Sequence, residues 1–231
     1  MIILEVIIMS YEDVNKITLP KYSYKEEEVN WISHAAGAII GLIIFFICFG
    51  LALKFNKASY SMISIVVYGL SMMTLYSMSA LYHGSKANTR KKRVRRIIDH
   101  CTIFILIAGT YTPVCLMGEI TVYHIILLLI EWIFSFIGIS INAYDFNKLW
   151  VRIVSMTLYL ILGWAIMLFP SIYNNLPFNS FMFILSGGIA YTIGSILYGI
   201  GHNVKWFHSV FHFFCLLGTI LQAIGIIIMI M

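Results

Sequence analysis

The chain has 231 residues, of which 61% are hydrophobic and 11% are charged, and its mean hydropathy is +0.91. A soluble domain carries about 25% charged residues, so this composition excludes an ordinary soluble protein and indicates an integral membrane protein. The net charge of +5 does not indicate nucleic-acid binding, because the basic residues lie in short connections between apolar segments. At such positions they face lipid headgroups. We expect membrane lipids as partners and no nucleic acid.

Seven apolar segments are long enough to cross a bilayer, which takes about 20 residues each. The uncharged stretch between Arg152 and Lys205 holds two of them, because two prolines and two asparagines at 170–177 favour a turn there. The predicted spans are 30–53, 60–83, 97–117, 120–142, 149–169, 178–201 and 206–231. The predicted fold is therefore an all-α integral membrane protein, a seven-transmembrane helix bundle at residues 30–231. A cytoplasmic N-terminal segment at residues 1–29 precedes it.

The distribution of Lys and Arg predicts the orientation of these spans. When the connections are assigned alternately to the two sides, 13 basic residues fall on the side of the N-terminus. The opposite side has 2, Lys54 and Lys57. Because basic residues concentrate in cytoplasmic loops, the N-terminus is predicted to be cytoplasmic and the C-terminus to be outside. The basic run 90–96, in the predicted connection before the third span, is interpreted as a topology anchor that can touch anionic headgroups.

The histidines gather at the predicted cytoplasmic end, and only His124 lies on the outer side. The six at the cytoplasmic end are His34, His83, His100, His202, His208 and His212. Asp99 joins this set. Polar groups at the hydrocarbon boundary are costly unless they are paired, hydrated or bound to a metal. His100 and His202 are predicted to be solvated boundary residues.

The spacing of His208 and His212 is the sharpest local signal. Residues four apart share one helix face, with Cβ atoms about 5–6 Å apart, so both rings can reach one ion. The alternative is a pair of interfacial histidines. Ser209 stands where the metalloprotease pattern has a glutamate, so any base must come from elsewhere. His83, with Ser79 one turn away, supplies a third imidazole, and three histidines with an open fourth position are typical of catalytic zinc.

Several polar residues allow more than one interpretation. Asp99 either orients a zinc-bound water and draws off its proton or forms an ion pair with a neighbour such as Arg95 or Arg96. His34 either supports the metal site or packs against it. Glu131 lies in the middle of the fourth span without a visible basic partner, which marks a functional residue by default.

Four motifs occur in a characteristic order along the chain. They are Glu26-Glu27-Glu28 with Asn30 and Ser33-His34, Ser79-Ala80-Leu81-Tyr82-His83, Asp99-His100 continuing to Ala108–Pro113, and His208–His212 with Gly218 and Gln222. From Glu26 onward the sequence resembles the hemolysin III family, within the progestin and adipoQ receptor (PAQR) superfamily. The resemblance implies seven helices, a cytoplasmic N-terminus and a zinc ion near the cytoplasmic face. It also implies that His83, His208 and His212 are the zinc ligands, with Asp99 holding a zinc-bound water and Ser79 nearby.

The superfamily includes alkaline ceramidases, which hydrolyse a lipid amide, and bacterial members that are called hemolysins or are linked to membrane-fluidity homeostasis. The predicted function is therefore a zinc-dependent hydrolase of lipid amides or esters in a bacterial plasma membrane, with Asp99 and Ser79 as its catalytic residues. A non-enzymatic receptor or membrane-fluidity sensor with structural zinc is the alternative. A cytolysin is the second alternative.

Overall fold

A computed structural model describes residues 14–201 and 204–231, and within these ranges the regular secondary structure is helical, with no strand. Six of the described helices are long and apolar enough to cross a membrane. They are α1 (Tyr24–Lys54), α2 (Ser59–His83), α3 (Arg90–Leu116), α4 (Val122–Asp145), α6 (Phe178–Ile200) and α7 (Phe207–Ile230). Between α4 and α6 lies α5 (Leu149–Gly163), which is apolar but shorter. The prediction of an all-α membrane protein is confirmed.

Helix α1 begins six residues before the predicted first span. Ser23 caps it: the Ser23 side chain accepts a hydrogen bond from the Glu26 N–H, and the Glu26 carboxylate accepts one from the Ser23 N–H at 2.8 Å. Such a capping box satisfies backbone N–H groups that the first turn leaves without helical partners. Hydropathy found only the apolar part of this helix, because its first turns carry acidic side chains.

The basic run Arg90–Arg96 is the start of α3, which corrects its assignment to a connecting loop. Thr89 caps this helix, since its side chain accepts a hydrogen bond from the Lys92 N–H at 3.2 Å. Several of these basic side chains also turn inward, and Lys92 and Arg96 are only 3% and 4% exposed. They therefore form contacts inside the protein as well as a charged edge.

The fifth span was predicted at 149–169, but α5 ends at Gly163 and continues as a 3-10 turn (Ala165–Leu168) and a short helix (Pro170–Tyr173). A distant side chain supports this break. The Tyr111 hydroxyl donates to the Gly163 carbonyl and accepts from the Ile166 N–H, each at 3.1 Å. A helix of this length rises only about 22 Å, short of a hydrocarbon core of about 30 Å.

The helices pack in a ring that follows chain order, and α7 closes it against α1. The contact between α6 and α7 is the most extensive and depends on glycines. A Cβ atom at Gly218 would lie 2.8 Å from the Tyr191 ring, and one at Gly187 would lie 2.5 Å from Cγ of Gln222. Small residues of this kind let membrane helices approach closely.

The exposed and buried side chains are distributed as a lipid environment requires. Large apolar side chains on the outer faces are open, for example Phe46 of α1 at 62% and Leu129 of α4 at 54%. Serines such as Ser64 and Ser71 of α2 are buried inside the bundle, at 0% and 2%. The four cysteines are free thiols and are buried.

Candidate metal centre

Three histidines from two helices meet inside one end of the bundle. His83 is the last residue of α2, while His208 and His212 lie one turn apart at the start of α7. Nε2 of His208 is 3.3 Å from Nε2 of His83 and 3.2 Å from Nε2 of His212. All three side chains are buried, at 2%, 7% and 1% exposure for His83, His208 and His212. The structure thus brings together the three predicted metal ligands.

The partners of the opposite ring nitrogens indicate which tautomers are present. Nδ1 of His83 lies 2.7 Å from Oε2 of Glu27, which as a carboxylate can only accept, so this nitrogen carries the hydrogen. The Ser33 hydroxyl donates to the Asn30 carbonyl at 3.0 Å, so at 3.4 Å it accepts from Nδ1 of His212. On both rings, therefore, Nε2 presents a lone pair toward the third histidine.

Converging lone pairs repel one another unless a cation lies between them, so this donor set fits a metal ion. The spacing agrees, because tetrahedral ligands at about 2.0–2.1 Å from zinc have nitrogen atoms about 3.3 Å apart. The candidate ligand atoms of His83, His208 and His212 all lie within 4.8 Å of one another. These three histidines could hold a metal ion with a further coordination position free.

Glu27 supports this metal centre. The sequence alone did not reveal this role of Glu27. Its Oε2 accepts from His83, and its Oε1 accepts from Nζ of Lys92 at 2.6 Å. A carboxylate on the outer nitrogen of a ligand histidine fixes the tautomer and increases the basicity of the ligand. In the sequence Glu27 is the middle one of three glutamates, and nothing local indicates which of them faces the histidines.

Asp99 and Ser79 lie together beside the histidines. Both side chains line one cavity together with those of His208 and His212. Within the described ranges Asp99 has no ion pair with either candidate arginine. Instead, the Arg95 guanidinium donates to the Leu81 carbonyl and the Ser85 hydroxyl, and that of Arg96 donates to the Thr18 carbonyl. This geometry favours the interpretation of Asp99 as a site residue.

The other histidines have different surroundings. His34 stacks on His212 with ring centroids 3.6 Å apart, so it packs directly against a candidate ligand. The expectation that His100 is solvated is wrong, since its ring lies 2.9 Å from the Arg96 carbonyl and 3.1 Å from the Tyr198 hydroxyl. His202 lies outside the described residues. His124 is at the far end of the bundle, beside Thr121.

The segment at 14–23 covers the histidines from outside the bundle. The Tyr22 ring stacks on His208 with centroids 4.7 Å apart, and burial raises the pKa of its phenol. Arg93 and Arg96 hold the segment by donating to the Ile17 and Thr18 carbonyls at 3.1 and 2.6 Å. The metal centre is therefore separated from the aqueous side by a neutral aromatic ring.

A cavity of about 140 Å³ extends from the histidines into the bundle. At one end it is lined by His34, Ser79, Asp99 and the α7 histidines, and at the other by Trp164 of the 163–165 break and Gln222 of α7. Its walls between these ends are mainly apolar, with Leu75, Ile103, Leu106, Ile107, Met156 and Leu160. The arrangement joins a polar, metal-competent end to a long apolar chamber.

Glu131 lies apart from this cavity, in α4. Its side chain is 0% exposed, and neither carboxylate oxygen has a hydrogen-bond partner among the described residues. Among the described ionisable side chains, those of Tyr111 and Cys115 interact electrostatically with it. The structure therefore supplies no basic partner for Glu131 within the part of the chain it describes.

Comparison with known proteins gives a consistent picture. The family model described as "Haemolysin-III related" matches residues 22–223. "Hemolysin-3" of Bacillus cereus is 34% identical over 205 residues, which cover 88% of this chain and 91% of that protein. "Hemolysin-3 homolog" of Bacillus subtilis (strain 168) is 33% identical over 201 residues, covering 86% and 91% of the two chains. The matched region includes every residue of the candidate metal centre.

Proposed function

The chain belongs to the haemolysin-III related family, and from its histidine site we propose that it is a zinc-dependent hydrolase of lipid amides or esters. The observation that carries the proposal is the convergence of three Nε2 atoms beside an apolar cavity that also receives Asp99. We place the protein in a bacterial plasma membrane with a cytoplasmic N-terminus. In this proposal α5 and the turns after it complete a seventh crossing.

Zinc is the metal that this donor set suits best. His83, His208 and His212 would hold it through neutral imidazole nitrogens, and the set lacks both the thiolates of iron–sulfur sites and the carboxylates that magnesium and calcium prefer. When bound, zinc would polarise a carbonyl oxygen and lower the pKa of a water molecule to about 7. The three histidines leave a position for that chemistry, because no fourth His, Cys, Asp or Glu joins their group among the described residues.

The proton transfers are assigned to Asp99. Its carboxylate would take a proton from the attacking water and return it to the leaving amine or alcohol, as a general base and then a general acid. Ser79, which lines the same cavity, would orient that carboxylate by donating a hydrogen bond to it. When the proton reaches Asp99, the Ser79 hydroxyl becomes free to donate to the oxygen that gains negative charge in the substrate.

The cavity suits a substrate with a long acyl chain. Its walls are mainly apolar, so a hydrocarbon chain would lie between Leu75, Leu106 and Trp164 with its carbonyl group toward the histidines. Helix α5 makes few contacts with α6, which favours lateral entry from the lipid between these helices. Tyr22 closes the aqueous side, so bulk water is excluded while the substrate is bound.

The test is hydrolysis by purified protein in detergent with a panel of lipid amides and esters, and mass spectrometry to detect the released fatty acids. We expect release by the zinc-loaded protein, loss after the metal is stripped with a chelator, and recovery when zinc is restored. A folded protein that holds zinc but cleaves no member of the panel would contradict the hydrolase assignment. That result would favour the receptor or sensor alternative, in which the metal stabilises the fold without turnover.

A cytolysin, the activity that the relatives' names suggest, has less physical support. A secreted pore former must be soluble before it inserts, and this chain exposes apolar side chains along α1 and α4. Lysis during overexpression would then reflect disturbance of the membrane rather than a dedicated pore.

A further inference from the structure

A second cavity lies at the same end of the bundle as the histidines, on the outer side of a shared wall. It has a volume of about 730 Å³ and lies between the N-terminal segment, the first turns of α5 and the end of α6. His100, Met156, Tyr159 and Tyr198 line both this cavity and the one that reaches the histidines. The proposed hydrolase chemistry does not use it.

This cavity is strongly basic. Among the residues that the structure describes, four cationic side chains line it, Lys21, Arg96, Arg152 and Lys205, against one carboxylate, that of Glu26. Both oxygens of that carboxylate already accept hydrogen bonds, from the Trp206 and Ser23 N–H groups, each at 2.8 Å. The charge of the cavity therefore favours an anionic ligand.

Two of these cations have donors without partners. Nε of Arg96 and Nε of Arg152 are both buried, and neither has a hydrogen-bond partner among the described residues. A guanidinium N–H left unpaired away from water is costly, and phosphate oxygens are its preferred acceptors. Arg96 is 4% exposed and is held by the Thr18 carbonyl and by the Phe146 ring, 5.0 Å from its guanidinium carbon. The Arg96 donor is thus held in place before any ligand binds.

The rest of the wall is apolar, which suits a lipid better than a soluble anion. Leu19, Pro20, Phe146, Leu149, Ile153 and Val204 contribute to it. The cavity lies at the level where α3 and α5 begin and α4 and α6 end, so it is at the membrane boundary. At this level a phospholipid places its phosphate beside the start of its acyl chains.

We propose that this cavity binds the phosphate of an anionic phospholipid headgroup from the leaflet at this end of the bundle, through Arg152, Arg96 and Lys205. The proposal does not depend on the hydrolase assignment or on a bound metal. Phosphatidylglycerol is the simplest probe of the required charge. Zwitterionic phosphatidylcholine has the same phosphate but adds a cation that the basic wall would repel.

The test is native mass spectrometry of the detergent-purified full chain, titrated with dioleoyl phosphatidylglycerol or dioleoyl phosphatidylcholine. We expect wild type to prefer phosphatidylglycerol. The double variant Arg152→Gln/Lys205→Gln should weaken that binding about tenfold or more, because it removes two of the three cations that would contact the phosphate inside the cavity. The matched control is Lys86→Gln/Lys91→Gln, which removes the same charge from exposed positions outside the cavity. It should bind like wild type.

Three results would overturn the proposal. One is equal affinity of wild type for the two lipids, and another is the same loss of binding in the cavity variant and the control variant. The third concerns inorganic phosphate: if millimolar phosphate alone raises the thermal midpoint as much as phosphatidylglycerol does, the cavity takes the free anion and not a lipid. The midpoint measured without ligand verifies that each variant is folded, and Arg152→Gln alone replaces the double variant if that one unfolds.

Discussion

Two buried ionisable sites in this bundle differ in how their polar atoms are partnered. In the histidine centre, Glu27 and Ser33 orient the rings of His83 and His212, so that their Nε2 lone pairs point toward Nε2 of His208. Glu131 is as deeply buried, yet neither of its oxygens has a partner among the described residues. Buried ionisable groups are rare in membrane proteins, so the histidine centre and Glu131 are both unusual. Only the directed partners of the histidines indicate a chemistry.

The strongest test of this comparison is the metal content of the purified protein. Wild type should hold about one zinc ion per chain, and His208→Ala should lose it, because removal of one of three protein ligands leaves too few to retain the ion. His124→Ala, at the other end of the bundle, is the control and should keep the metal. Mass spectrometry of metal per chain measures all three. An unchanged zinc content in His208→Ala would show that these histidines do not hold the metal.

The next largest effect is expected at Asp99. Asp99→Asn should lower the rate of lipid hydrolysis by about 10²- to 10⁴-fold, the usual contribution of a general acid–base, with zinc content unchanged. Asp145→Asn is the control. Asp145 pairs with Lys148 and belongs neither to the histidine group nor to the lining of the cavity beside it. Fatty-acid release and metal content are measured on the same samples. A wild-type rate in Asp99→Asn would show that this carboxylate has no part in catalysis.

The sequence predicts the fold wherever local chemistry decides it. The second span was predicted at 60–83 and α2 is Ser59–His83, because charged or turn-forming residues flank an uninterrupted apolar run. The spacing of His208 and His212 predicts their common face for the same reason: four residues make about one helical turn. Local periodicity and hydropathy are enough for such features.

The rest depends on contacts that the sequence does not reveal. Helix α5 ends at Gly163 because Tyr111, more than 50 residues earlier, supplies the hydrogen bonds for the break. Glu27 could not be separated from its neighbours Glu26 and Glu28 until the structure placed it between His83 and Lys92. Tertiary contacts, rather than residue type, determine which of several identical side chains reaches the site.

A smaller effect is expected at Glu27. Glu27→Gln keeps a hydrogen-bond acceptor for His83 but loses the negative charge, so zinc affinity should fall by about 10- to 100-fold, as it does when such outer partners are removed elsewhere. Competition with a zinc chelator measures the dissociation constant. Glu28→Gln is the matched control from the next position.

Zinc affinity and thermal stability are measured separately, so that a loss of His83 orientation is distinguished from a general loss of stability. Glu27→Gln also leaves Lys92 beside a neutral partner, so the thermal midpoint of the metal-free protein is recorded as well. Lys92→Met removes the other side of that pair and keeps the Glu27 charge. We expect Lys92→Met to bind zinc more tightly than Glu27→Gln does. If Glu27→Gln and Glu28→Gln share one dissociation constant, Glu27 has no role in positioning His83.

The smallest effect is expected at Glu131. Its substitution should stabilise the protein, whereas the other substitutions should reduce metal binding or hydrolysis. Glu131→Leu replaces a buried carboxyl group without hydrogen-bond partners by an apolar side chain of similar length. Because an unpaired buried polar group is destabilising, this change should raise the free energy of unfolding by about 1–3 kcal/mol. Zinc content and hydrolysis should remain unchanged, and Glu119→Gln, which removes an exposed charge, should leave the thermal midpoint where it is. A lower midpoint, or lost hydrolysis with zinc retained, would mean that Glu131 has a functional partner after all, and the contrast with the histidine centre would fail.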